Sequence, residues 1–170
     1  MSRTGETDTE PELVEALRAA LAAEHATVYG YGVVGGRISD ARREEAREAH
    51  DAHRARRDEL HRTVRELGGE AEPAAAAYSL PFAVPDGPAA VRLAAELEDR
   101  LAGAYADLVR ASEGRRRRDA AGALSEAAVR SARWRGGGVA FPGLTERAAD
   151  RRRAPSGEVP SGAPPPSGPA

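Results

Sequence analysis

Residues 17–31 read Leu-Arg-Ala-Ala-Leu-Ala-Ala-Glu-His-Ala-Thr-Val-Tyr-Gly-Tyr, and this stretch decides the fold. At about 100° per residue, Leu17, Leu21, Val28 and Tyr31 share one face of a helix. Glu24 falls at the centre of that face. A carboxylate in an apolar stripe costs several kcal/mol or more, roughly, unless it is paired, protonated or bound to a metal. The helix is therefore amphipathic with a polar centre, and its partners must bring something for Glu24.

Outward from this stretch the chain reads as helices separated by glycine and proline. The first helix is expected over 11–36, capped by Asp8 or Thr9 and ended by Gly35-Gly36. The second runs over 39–67 from a Ser39-Asp40 cap to Gly68-Gly69, with Ile38, Ala49, Ala52, Leu60, Val64 and Leu67 as its thin apolar stripe. His53 lies on that stripe, Arg56 and Arg57 flank it, and His50 lies near its edge. A third helix begins near Asp86-Gly87-Pro88 and ends near Ser112, and a fourth spans 116–135. Between the second and third lie 70–87, too long for a tight turn and too apolar for a free linker. An extended segment of that length spans a helix of ordinary bundle size, so it is a crossover along the bundle on which Tyr78, Leu80 and Phe82 pack. The expected class is all-α: a four-helix bundle with one long crossover between helices 2 and 3.

Residues 1–10 are expected as a disordered leader, 11–147 as the bundle, and 148–170 as a disordered Arg-rich then Pro/Ser/Gly-rich tail. Val139–Leu144 reads as a short apolar return at one end of the bundle, with Trp134 against Phe141.

Composition narrows the function classes. There is no Cys, which excludes disulfides, thiolate zinc sites and thiol catalysis. All 25 basic residues are Arg, and Lys, Asn and Gln are absent, the mark of a GC-rich coding sequence. The net charge of −2 gives no field to gather nucleic acid or an anionic membrane, and neither is an expected partner. Arg115–Arg118 reads as a solvated run, and His25 and His61 as rim residues. No apolar run is long enough for a membrane span and no signal peptide opens the chain, so the cytoplasm is the expected location. Phosphate-binding loops, dinucleotide fingerprints and nucleophile elbows are missing.

The two halves resemble each other. Glu24 precedes Tyr31 by seven residues, as Glu98 precedes Tyr105, and Arg18 and Arg92 stand six before each Glu. Carried into the second helix of each half, the comparison sets His50-x-x-His53 against Glu126-x-x-Val129.

These features together resemble the ferritin-like di-iron carboxylate proteins. Those bundles place one Glu on each of two helices and Glu-x-x-His on each of the other two. The resemblance implies Glu24, His53 and Glu98 as candidate metal ligands, with iron or manganese the suitable ions. Two of the six expected ligands depart from the pattern, His50 replacing a Glu and Val129 a His, so no metal is favoured. The strings Leu21–Tyr31, His53–Asp58, Tyr78–Phe82 and Ala132–Arg135 with Phe141-Pro142-Gly143 bring the chain closer to an actinobacterial ferritin-like domain family of unknown function.

Three functional readings follow. In the first, a non-catalytic domain with a degenerate di-metal site buries a network of Glu24, His53, Arg56, Arg57, Tyr31 and Tyr105. Arg56 or Arg57 forks onto Glu24 with His53 as a hydrogen-bond partner, both tyrosine hydroxyls reach the cluster, and a homodimer forms through Ala-rich faces. The second is an iron- or manganese-binding, oxidase-type protein. The third is a small-molecule binder that uses the polar core as its pocket.

Overall fold

A computed structural model describes residues 9–136. These residues form four helices and, among themselves, no strand: α1 Thr9–Gly35, α2 Asp40–Glu66, α3 Gly87–Ala111 and α4 Gly114–Arg135. The all-α four-helix bundle is as the periodicity predicts, with boundaries within two residues of expectation at nearly every helix end. Of the expected leader 1–10, Thr9 and Glu10 instead begin α1; its remainder, the apolar return at 139–144 and the tail lie outside the described residues.

Local chemistry sets the helix ends. Asp86 caps α3 by accepting from the Ala89 amide at 2.8 Å, and Pro88 occupies the first turn, where its missing N–H costs nothing. Gly136 closes α4 in a left-handed conformation, φ 70°.

Side-chain pairs fix the direction of each helix. Glu24 meets Tyr105 while Tyr31 meets Glu98, so α1 and α3 are antiparallel. Glu24 meets His53 between α1 and α2, and Asp99 meets Ser131 between α3 and α4. Backbones pack closely between α1 and α2, α1 and α3, and α3 and α4. Helices α2 and α4 stand further apart, with no Cα pair within 8 Å, and communicate through long side chains. The crossover lies along α1: Arg18 pairs with Glu72 at 3.0 Å, His25 contacts the Glu72 carbonyl, and Tyr78 packs on Tyr29 at 5.6 Å between centroids. Leu80 and Val84 cover the core there. Phe82 does not pack as expected. It is 37% exposed, and the Arg92 guanidinium sits over its ring.

The core is divided. One apolar cluster holds Leu17, Leu21, Leu60, Val64, Leu101 and Leu108. The other holds Val34, Ile38, Ala49, Leu93, Leu97 and Trp134. Along α1, α2 and α3 the residue that separates the two clusters is polar: Glu24, His53 and Glu98. Ala52, expected on the α2 stripe, is exposed, because the stripe runs through Ala46, Ala49, His53, Leu60 and Val64.

Two mid-helix glycines have opposite roles. A Cβ on Gly30 would stand 2.5 Å from Leu97 Cδ1, so Gly30 allows α1 and α3 to approach. A Cβ on Gly122 meets nothing within 4 Å. Gly30→Ala is expected to destabilise by about 1–3 kcal/mol through overpacking. Gly122→Ala should stabilise by about 0.5–1 kcal/mol through helix propensity. Paired thermal unfolding curves check both signs.

Candidate functional site

The polar layer is built from one residue on each of α1, α2 and α3, with tyrosines from α1 and α3. Tyr31 and Tyr105 lie seven residues after Glu24 and Glu98. On antiparallel helices, that spacing puts each tyrosine level with the other helix's glutamate. Tyr105 donates to Glu24 Oε1 and Tyr31 to Glu98 Oε1, both at 2.6 Å. His53 lies between the carboxylates, with Nδ1 2.9 Å from Glu24 Oε2 and Nε2 3.0 Å from Glu98 Oε1. Glu24 and Glu98 are fully buried and His53 is 1% exposed. The Tyr31 ring stacks on the imidazole at 5.3 Å.

Donor and acceptor logic assigns the protons. An indole N–H only donates, and Trp134 Nε1 lies 2.8 Å from the Tyr31 hydroxyl. The Tyr31 proton is thereby directed to Glu98. Against two ionised carboxylates, which only accept, both His53 nitrogens would carry protons and the ring would be an imidazolium. Burial on its own would lower the His53 pKa. The hydrogen bonds and charges of Glu24 and Glu98 outweigh burial and raise it. Burial, reinforced by the adjacent carboxylate, pushes both tyrosine hydroxyls far above their ordinary value, so they remain donors.

The second oxygen of Glu98 is different. Its Oε2 is buried without a hydrogen bond and faces Arg130 Nη1 at 3.7 Å. That distance allows charge attraction and is too long for a direct bond. Next to it, Asp99 accepts from Ser131 at 2.6 Å and is gripped by both guanidinium nitrogens of Arg135.

The arginines expected on Glu24 are elsewhere. Arg56 bonds Glu126 at 2.9 Å and holds its guanidinium over the Tyr105 ring at 5.8 Å. Arg57 bonds Asp58. Both lie at the edges of α2, while His53 lies on its inner line and reaches Glu24 with a shorter side chain. The core therefore brings together Glu24, His53, Glu98, Tyr31 and Tyr105, touches Arg56 only through Tyr105, and leaves Arg57 out. His50 is at the rim beside Asp51.

On α4 the residues expected to match His50 and His53 face outward. Val129 is half exposed and Glu126 points outward to Arg56 and Arg130. The inward residues of α4 are Ala120, Ala123, Ala127, Ser131 and Trp134. Ala46, Ala49, His53 and Leu60 of α2 stand 74 positions before Ala120, Ala123, Ala127 and Trp134, the same separation as Glu24 from Glu98 and Tyr31 from Tyr105. One register thus relates the two halves throughout. The counterpart of His53 is Ala127, not Val129, and the α4 side of the layer offers a methyl group in place of a ligand. Trp134 and Arg130, both missing from the expected network, follow from this register. Trp134 takes the place of Leu60, and its indole reaches back to Tyr31.

The layer carries three of the six side chains of the di-metal pattern, Glu24, His53 and Glu98. Glu24 has both oxygens engaged, His53 has both nitrogens engaged, and α4 supplies neither Glu nor His to the layer. Among the described residues no group of three or more His, Asp or Glu side chains is arranged to hold a metal ion.

The upward shift of His53 makes stability depend on pH. An unperturbed histidine ionises near pH 6.5, roughly, and His53 does so higher in the folded state. Its contribution to stability is complete below about pH 6.5 and is lost as pH rises through the folded value. Urea midpoints measured from pH 6 to 9 should fall, and His53→Gln should remove that decline.

A family model described as a domain of unknown function, DUF4439, matches residues 16–146. Among solved structures, the chain is similar to the crystal structure of a conserved hypothetical protein, rv2844, from Mycobacterium tuberculosis. The two are 36% identical with a TM-score of 0.72, over 78% of this chain and 98% of the other. No curated protein matches the sequence.

Proposed function

Because the chain belongs to the DUF4439 family, whose description carries no activity, we propose a role from the site itself: a non-catalytic, ferritin-like bundle that works without a di-metal centre. The observation that carries this reading is His53, whose two ring nitrogens reach carboxylates from two different helices at 2.9 and 3.0 Å. A buried imidazolium there does the electrostatic work that a cation does in a carboxylate-lined bundle. It neutralises one of two buried negative charges and bridges the helices that carry them. Arg130, 3.7 Å from Glu98, supplies a second positive charge.

Two further features support the reading. The Tyr105 hydroxyl bonds one oxygen of Glu24 and the His53 imidazole the other, so both carboxylate oxygens are engaged. Ala127 stands where a second histidine would complete the pattern. The small-molecule reading of the core loses ground on the same geometry, since Glu24, His53 and Glu98 are at most 1% exposed.

Elemental analysis of the untagged protein after incubation with ferrous and manganous ions tests the proposal. Well under one metal ion per chain is expected, with unchanged thermal stability. Stoichiometric metal that disappears in Glu24→Ala would establish the oxidase-type alternative instead.

A further inference from the structure

Helices α2 and α4 stand apart, and a cleft of about 440 Å³ opens between them. Its floor is apolar, formed by Leu17, Leu60, Leu108 and the Tyr105 ring. Its end is the first turn of α4, where Arg115, Arg116 and Arg118 border the opening. This volume lies in the roughly 300–1,000 Å³ range of small-molecule sites.

The charge at that end is unusual. A helix N-terminus carries partial positive charge and free N–H groups, and it favours acidic residues. The N-cap residue of α4, Glu113, makes no side-chain cap bond, and the first turn beyond it has no acidic residue. Arginines occupy Arg115 to Arg118 instead. Arg115 approaches Asp119 at 3.6 Å, but no carboxylate among the described residues pairs with Arg116 or Arg118. Amide donors, a helix dipole and the Arg116 and Arg118 guanidinium groups thus converge at this end, while of the carboxylates that line the cleft, Glu59, Asp119 and Glu126, the last two are paired with Arg115 and Arg56.

A second observation points the same way. Ser112 lines the cleft, is 2% exposed, and its Oγ has no hydrogen-bond partner. Buried hydroxyls in folded proteins are nearly always satisfied. A rotation about its side-chain torsion would offer this one to a group seated at the head of the cleft. Gly122, part of the same wall, presents no side chain to the opening.

We propose that the cleft binds an amphipathic anion: an apolar body on the Leu17–Leu60–Leu108 floor, with a carboxylate or phosphate head at Arg116, Arg118 and the α4 N-terminus. The site is separate from the polar core and does not depend on whether that core holds a metal. Tyr105 is the one residue common to both, with its ring on the cleft and its hydroxyl on Glu24.

Calorimetric titration of the full chain with octanoate, octyl phosphate and inorganic phosphate, all below micelle-forming concentrations, tests the assignment. One molecule of octanoate or octyl phosphate should bind per chain, and the tighter of the two identifies the head group. Inorganic phosphate alone should bind at least tenfold more weakly than octyl phosphate. The double substitution R116A/R118A should weaken binding at least tenfold, and Gly122→Trp, which fills the cleft from an open position, should abolish it. Arg47→Ala, on an exposed face of α2, should bind as the unaltered protein does. Circular dichroism confirms that each variant is folded. No binding of either amphiphile, equal affinity for inorganic and octyl phosphate, or binding indifferent to both cleft variants would overturn the proposal.

Discussion

Replacing His53 with alanine lowers the stability of the bundle by about 3–5 kcal/mol, the loss expected when one partner of a buried ion pair is removed. The size of the effect comes from what remains. Glu24 and Glu98 stay fully buried, on facing helices, with no imidazolium between them. Arg130 reaches only the outer oxygen of Glu98, and Arg56 is committed to Glu126. Neutralising the glutamates instead should cost less. In Glu24→Gln combined with Glu98→Gln, each new amide oxygen still accepts from its tyrosine. The amide nitrogen introduced at position 24 then donates to one nitrogen of a neutral His53, and the amide oxygen at position 98 accepts from the other. Urea unfolding of the single and double variants at pH 7 gives the comparison. If His53→Ala were the milder change, the histidine would not be the group that balances the carboxylates.

Trp134→Ala should destabilise by about 3–5 kcal/mol, in the range of buried aromatic truncations. Trp134 is 2% exposed, lies under the Arg42 guanidinium at 4.0 Å, and closes the apolar cluster of Leu93 and Leu97. It also orients the Tyr31 hydroxyl, so its loss reaches the polar layer 2.8 Å away. Trp134→Phe separates the two contributions. It retains most of the packing and removes the indole N–H, which should cost about 0.5–1.5 kcal/mol for the hydrogen bond, plus the difference in ring volume. Equal losses in both variants would mean that the hydrogen bond, not the packing, dominates.

Much of the fold is legible in the sequence because the helices carry strong punctuation. Gly35-Gly36, Gly68-Gly69, Asp86-Gly87-Pro88 and Gly136 each sit at an observed helix end. The long segment between α2 and α3 has no helical pattern of its own, and it joins the parallel helices of the bundle. Glu24 and His53 are also legible, because a charged or polar residue on an otherwise apolar stripe stands out. His53 as a partner of Glu24 is legible too, but the absence of an arginine beside them is not. Arg56 and Arg57 are the obvious cations by charge, but a helix wheel gives direction and not reach. The imidazole lies on the inner line of α2 and the two arginines lie at its edges. The α4 side is obscured for another reason. Its inward residues are mostly alanine, so the apolar stripe is faint, and Glu126 and Val129 imitate a ligand motif on the outer face. The constant separation of 74 residues identifies the correct partner, Ala127, once burial on α2 and α4 is compared. The first turn of α4 shows a similar limit. Four arginines in a row read as a solvated run, and only the separation of α2 and α4 sets them beside an apolar floor.

We propose that a buried imidazolium holds the middle of this bundle. Nitrogen-15 spectra of the histidine rings test it most directly. With His53 assigned through His53→Gln, both of its ring nitrogens should resonate as protonated at about pH 6.5, where an ordinary histidine is half deprotonated, and should not shift on addition of manganous or ferrous ions. A His53 ring with one bare nitrogen at that pH, or one whose signals broaden and vanish on adding one equivalent of metal, would contradict the account.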